Sequence, residues 1–186
     1  MSKLNNSIFD KNFAEIASSE IILIFGGIIS GVLLAFASDE LLLISGILII
    51  LPGFLEMRGN ISGAFAARLA SGLFLKVIKP DDFRSKIVKE NILASFILAM
   101  GISIILGLIL FFFNWIFTNQ FLLKLIFIPF LAGVISNAVE IPLALIATFY
   151  LFKNGHDPNN IMGPFITITG DVVSIISLLI AFIIII

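Results

Sequence analysis

The sequence has no cysteine, a single histidine, a single tryptophan, a single tyrosine and little charge, with 12% of its 186 residues Asp, Glu, Lys or Arg. Without cysteine there are no disulfides and no thiolate metal sites, and the redox compartment is left undetermined. The lone His156 sits in a turn and is expected to be a solvated loop residue, so a site for softer metals, which look for His or Cys, is not expected. No HExxH motif, no paired catalytic aspartates and no nucleophile–base constellation occur, so an enzyme is not expected and neither is a cofactor. A formal net charge of −1 goes with no expected nucleic-acid partner. What is present is apolar: 60% of the residues are hydrophobic and the mean hydropathy is +1.19. Soluble domains are typically about 45–50% apolar and about 25% charged, so this composition belongs in a lipid bilayer. Long unbroken apolar runs favour membrane helices over the alternating strands of a barrel. No cleavable signal is expected, because residues 1–20 mix both charges and the first apolar run is too long for a signal core.

The expected architecture is an all-α integral membrane protein with five transmembrane helices. Residues 1–20 read as a cytosolic or interfacial N-terminal segment, and residues 21–186 as the five-helix domain. Leu4, Ile8, Phe9, Phe13 and Ile16 recur at near-helical spacing, as in an amphipathic helix on the membrane surface; a frayed polar tail is the alternative. The spacing predicts a first span over residues 21–37, with Gly27 and Gly31 forming a GxxxG step. A tight turn is expected at Ser38, Asp39 and Glu40, and a second span over 41–57. Arg58, Gly59 and Asn60 then interrupt the apolar run before 61–75 continue with small residues. Two readings follow: a helix broken at membrane depth, or one emerging into the cytosol at Arg58. Residues 79–89 are charged, contain Pro80 and read as a loop. A third span covers 91–115, with Trp115 suited to an interface. The stretch 121–152 is long for one straight crossing, and Pro129 and Pro142 are able to kink it.

Charge asymmetry orients these spans. The turn at 38–40 has no Lys or Arg, and only Lys124 lies between the third and fourth spans. Arg68, Lys76, Lys79, Arg84, Lys86 and Lys89 follow the second span. The positive-inside rule puts the N-terminus in the cytosol and the C-terminus outside, in a multi-pass cell-membrane protein.

Two carboxylates lie within apolar stretches. Asp171 interrupts residues 161–186, and an aspartate there costs about 2.5–3.5 kcal/mol unless a partner, water or an ion meets it. Thr167 and Ser174 share its helical face, which gives the helix a polar stripe, read as an ion path. The alternative is a protonated Asp171 that only hydrogen-bonds a neighbouring helix. Glu140, on one face with Ser136, either belongs to the same path, pairs with a basic residue such as Arg68, or sits near an interface. Mg²⁺ suits such a set, since it takes oxygen ligands and sheds its waters reluctantly.

Three stretches together resemble the MgtE-like magnesium transporters. Leu51-Pro52, then Arg58-Gly59-Asn60, then Ala66-Ala67-Arg68-Leu69-Ala70-Ser71 are similar to that family's P…GN…ARLS signature. Asp157-Pro158-Asn159-Asn160, Pro164 and Gly170-Asp171 are similar to its DPxN…P…GD pattern, closer to the eukaryotic solute-carrier branch than to bacterial MgtE. The resemblance implies a homodimer of five-helix halves, with a cation path at the two-fold interface. It implies that Asp171 lines the metal site through the ion's waters, with Gly59 and Asn60 beside the path and the segment around Asn137 near it; Thr167, from its spacing, and Glu140, from its charge, complete the candidate metal residues. A glutamine usual after the bacterial GN element is absent, Ala64 and Phe65 occupying that neighbourhood. No cytosolic sensor domains are found in the sequence, so gating through them is not expected. The function implied is transport of Mg²⁺ or another divalent cation across the lipid bilayer, as a channel or by ion-coupled exchange. The competing function is a non-transporting assembly or regulatory subunit that uses Glu140 and Asp171 to bind another membrane protein.

Overall fold

The computed structural model describes residues 10–186. Five long helices run through them: α1 (Lys11–Leu41), α2 (Ile47–Phe74), α3 (Lys86–Thr118), α4 (Phe127–Lys153) and α5 (Pro158–Ile185). A 3₁₀ turn over Leu123–Ile126 leads into α4, and no strand occurs among the described residues. Of the amphipathic positions read near the N-terminus, Leu4, Ile8 and Phe9 lie outside the described residues. Phe13 and Ile16 are exposed in the first turns of α1.

Several helix ends have local causes. Asp10 caps α1 by accepting from the Phe13 N–H at 2.9 Å, and Ser85 caps α3 by accepting from the Val88 N–H at 3.3 Å. The DPNN stretch is a cap as well: Asp157 accepts from the Asn159 N–H at 2.9 Å, and Pro158 occupies the first helical position, where no donor is needed. Gly46, at φ 82°, begins α2 in the left-handed region, and a Cβ there would collide with the Phe113 ring. Asn119 at φ 55° closes α3 in the same region.

Three local expectations change. The turn expected at Ser38–Glu40 is the last part of α1, and the chain reverses over residues 42–46, where Gly46 supplies the backbone freedom. Of the two readings at Arg58–Asn60, the broken helix is absent: α2 is continuously helical from Ile47 to Phe74, and Gly59 has no positive φ. The charged loop spans residues 75–85, because the polar residues from Lys86 onward already form the start of α3. Pro129 is the third residue of α4, where an N–H would lack an intrahelical partner anyway, whereas Pro142 lies inside the helix.

α5 is central, packing against α1, α2 and α4, while α4 also contacts α2 and α3. α1 lies mainly on α5. α2 and α5 run antiparallel: Ile47, Ile50 and Phe54 share one apolar cluster with Ile175, Leu178 and Phe182, and Phe65, Ala66 and Leu69 share another with Met162 and Ile166. The lone His156 is more than a solvated loop residue, since its Nδ1 lies 2.8 Å from Glu15 Oε1 and so ties the α4–α5 turn to α1.

The molecule is apolar outside and buries its polar groups among apolar clusters. Ile22, Ile24, Phe25, Ile29 and Phe36 on α1, with Ile97, Ile105 and Ile116 on α3, are exposed. Arg58, Ser62, Ser103, Ser136, Asn137, Glu140 and Ser174 are buried. That distribution suits a hydrocarbon solvent. Among the described residues four segments, α1, α3, Leu123–Lys153 and α5, are long and apolar enough to cross a membrane. α2, at 28 residues, is comparable in length but carries Glu56, Arg58 and Asn60 in its first half.

Candidate functional site

A cleft of about 440 Å³ opens between α2 and α5. From α2 it is lined by Glu56, Gly59, Asn60 and Gly63, and from α5 by Gly163, Thr167 and Asp171. Helical spacing explains the set, since residues three or four apart stack on one face. Added Cβ atoms at Gly59, Gly63 and Gly163 would meet nothing within 4 Å, so these positions border open space.

The polar groups of the cleft are largely unspent. Asp171 is half-buried, Asn60 and Glu56 are exposed to the opening, and none of the three makes a hydrogen bond or ion pair among the described residues. Thr167 donates its hydroxyl hydrogen to the Gly163 carbonyl at 3.1 Å, which leaves its oxygen lone pairs as acceptors. Among the described residues no group of three or more His, Cys, Asp or Glu gathers to hold a metal. One cleft therefore offers carboxylate, amide and hydroxyl oxygens, but no cage for a bare ion. Such a surface suits a cation that keeps much of its water.

Behind the cleft sits a buried ion pair. Arg58 is next to Gly59 in sequence but turns inward and is 0% exposed. Its Nη1 lies 3.2 Å from Glu140 Oε2 on α4, and its Nε donates to Ser174 Oγ on α5. Glu140 also accepts from Thr169 Oγ1 at 3.0 Å. Gly170 makes this arrangement possible, because a Cβ there would overlap the guanidinium. The Arg58 charge interacts with Asp171 as well, so the pair lies electrostatically beside the cleft.

Four of the six residues expected at a metal site, Asp171, Thr167, Asn60 and Gly59, line the cleft. The other two lie elsewhere. Glu140 is buried against Arg58, and not against Arg68, whose Nε donates to Asn91 Oδ1. Asn137 is fully buried one turn before Glu140; its Nδ2 donates to the Gly133 carbonyl at 2.9 Å while Oδ1 has no partner. Sequence reasoning missed Glu56, although the rule that singled out Asp171 and Glu140, a carboxylate within an apolar helix, applies to it equally. It also missed Arg58 as the partner of Glu140, because Arg58 reads as the end of an apolar run.

The family model for MgtE, a divalent cation transporter, matches residues 51–181. The match begins next to Pro52, which also lines the cleft, and contains every residue of the cleft and of the buried pair. No curated protein matches the chain. With most of its length covered, including the whole of the polar face shared by α2 and α5, the chain belongs to the MgtE family of divalent cation transporters.

Proposed function

We propose that this protein carries Mg²⁺ across a membrane along the cleft between α2 and α5, with a second copy facing that cleft across a two-fold axis. All five helices cross the bilayer in this reading, α2 included, because Glu56 faces the cleft and Arg58 the protein interior, while Arg68 lies toward the end of α2 that leads into the basic loop. The basic loop after α2 lies in the cytosol with the N-terminus, and the C-terminus lies outside. The observation that carries the proposal is Asp171: a carboxylate halfway along an apolar helix, without hydrogen-bond or ion-pair partner among the described residues, on a cleft that also presents Asn60 and Thr167.

Closed two-fold pairing is the commonest oligomer geometry, and it would bring two such aspartates to one path. Two facing carboxylates favour a divalent over a monovalent ion, and uncharged oxygens beside them suit a Mg²⁺ that sheds water reluctantly. The asparagine and threonine would hold the ion's waters, and the glycines leave room for them. Asn137 and Glu140 support the path from within α4, rather than touching the ion. This weakens the alternative of a non-transporting subunit, because Glu140 already has its partner in Arg58.

The test is Mg²⁺ uptake by sealed liposomes containing the purified protein, compared with empty liposomes, together with native mass measurement in mild detergent. Uptake above background from a dimer is the expected result. A monomer in both detergent and lipid, or uptake no faster than empty liposomes, would refute the proposal.

A further inference from the structure

Glu56 is the one carboxylate of the cleft that neither the motifs nor the proposed path uses. It lies on α2 four residues before Asn60, on the same helical face, and is exposed to the opening. It makes no hydrogen bond or ion pair with any described residue, so packing does not account for it. A charged group within a membrane helix otherwise carries a heavy insertion cost, and a water-filled cleft is a setting that relieves it. The adjacent guanidinium does not neutralise it, because Arg58 turns to the opposite side and pairs with Glu140. Glu56 and Asp171 interact with each other through their charges across the cleft.

The antiparallel packing sets the order of the two carboxylates. Arg58 is level with Ser174, so Asp171 lies three residues from that level in one direction and Glu56 two in the other. At about 1.5 Å of rise per residue the two are offset by roughly 7 Å along the path, Glu56 nearer the α1–α2 turn. An ion that keeps its hydration shell contacts carboxylates through water, so an offset of this size allows both to act on it in succession.

We infer that Glu56 is a second cation-binding residue of the cleft, one that attracts a hydrated divalent cation at the α1–α2 end and passes it to Asp171. This rests on the transport reading above. It makes Glu56 a determinant of apparent affinity, while Asp171 remains the residue on which passage depends. A single negative charge about 7 Å from a doubly charged ion, screened by water, corresponds to about tenfold in binding.

Four proteins test it in parallel: the unaltered chain, Glu56→Gln, Glu56→Asp and Asp171→Asn. Each is assayed for Mg²⁺ uptake in liposomes, for Mn²⁺ binding in detergent by electron paramagnetic resonance, and for thermal stability without metal. Glu56→Gln is expected to raise the KM for Mg²⁺ about tenfold and weaken Mn²⁺ binding to match, with maximal uptake within about twofold and metal-free stability unchanged. Glu56→Asp, which keeps the charge, should recover most of the affinity. Unchanged KM and Mn²⁺ affinity in Glu56→Gln, with Asp171→Asn inactive, would overturn the role of Glu56 and leave the transport reading standing. A loss of metal-free stability in Glu56→Gln equal to the loss in function would overturn it too, in favour of a structural role. Absence of uptake and Mn²⁺ binding in the unaltered protein would overturn both.

Discussion

Replacing one member of the Arg58–Glu140 pair should destabilise the helix bundle far more than replacing both. Glu140→Leu leaves the guanidinium fully buried with Ser174 Oγ as its one hydrogen-bond acceptor among the described residues, since none of them bonds its Nη atoms. Uncompensated buried charges of this kind typically cost about 3–5 kcal/mol. The effect is asymmetric. A carboxyl left alone is able to take up a proton and become neutral, whereas a guanidinium stays charged, so Arg58→Met should fall at the lower end of that range. The double variant Arg58→Met/Glu140→Leu removes both charges and fills the space with apolar atoms, a change that is often neutral or even stabilising. By the scaling of proteins of this size, the Glu140→Leu loss corresponds to a fall in Tm of about 6–20 °C. Thermal scans of the purified proteins in one detergent, read as a double-mutant cycle, provide the measurement. If the double variant were as unstable as the sum of the singles, the pair would not be the clamp between α2, α4 and α5 described above.

Other outcomes follow from the same geometry. Gly170→Ala should lower thermal stability by roughly 1–3 kcal/mol, because its methyl group overlaps the Arg58 guanidinium, and in the Arg58→Met/Glu140→Leu background the same substitution should cost much less. Gly59→Ala should behave in the opposite way: nothing lies within 4 Å of the new methyl group, and alanine favours the helix by about 0.5–1 kcal/mol. Its Mg²⁺ uptake should nevertheless fall as the methyl group enters the cleft, and uptake equal to that of the unaltered protein would show that the glycine face is not part of the path. Asp157→Ala removes the α5 cap and should cost about 1 kcal/mol, visible as faster hydrogen exchange at Asn159.

The helices were legible because apolar runs longer than a bilayer core leave few other structures. Their ends were not. Hydropathy marks the thickness of lipid rather than the length of a helix, so the charged stretch before Ile21 reads as a separate surface helix or a tail, and that after Ser85 as a loop, although residues from Lys11 and from Lys86 are continuous with α1 and α3. Gly59 and Asn60 suggest a break because both are poor helix formers, but tertiary packing decides the matter. Arg58 is held by α4 and α5, which fixes α2 as one helix through that point. In the cleft, Asp171 and Thr167 could be named from charge and spacing, and Asn60 from the resemblance of its Gly59-Asn60 element. The partner of Glu140 could not, because Arg58 and Arg68 are both basic and only the rotation of α2 about its axis separates a buried one from a surface one. Glu56 was within reach of the same reasoning as Asp171 and shows how easily the neighbourhood of a motif hides a third charge.

The most direct test of the account is Mg²⁺ uptake by liposomes containing Asp171→Asn, measured beside the unaltered protein with thermal stability recorded for both. The substitution keeps size and hydrogen-bonding capacity, removes a charge from each half of the proposed dimer, and places a neutral amide where a carboxylate stood, so the fold should survive. A carboxylate that binds the passing cation predicts uptake reduced at least about tenfold in a well-folded protein, since attraction for a divalent ion is stronger in a cleft than in bulk water. Near-normal uptake from a stable Asp171→Asn protein would contradict the central claim and would leave Asp171 as a protonated side chain that only packs.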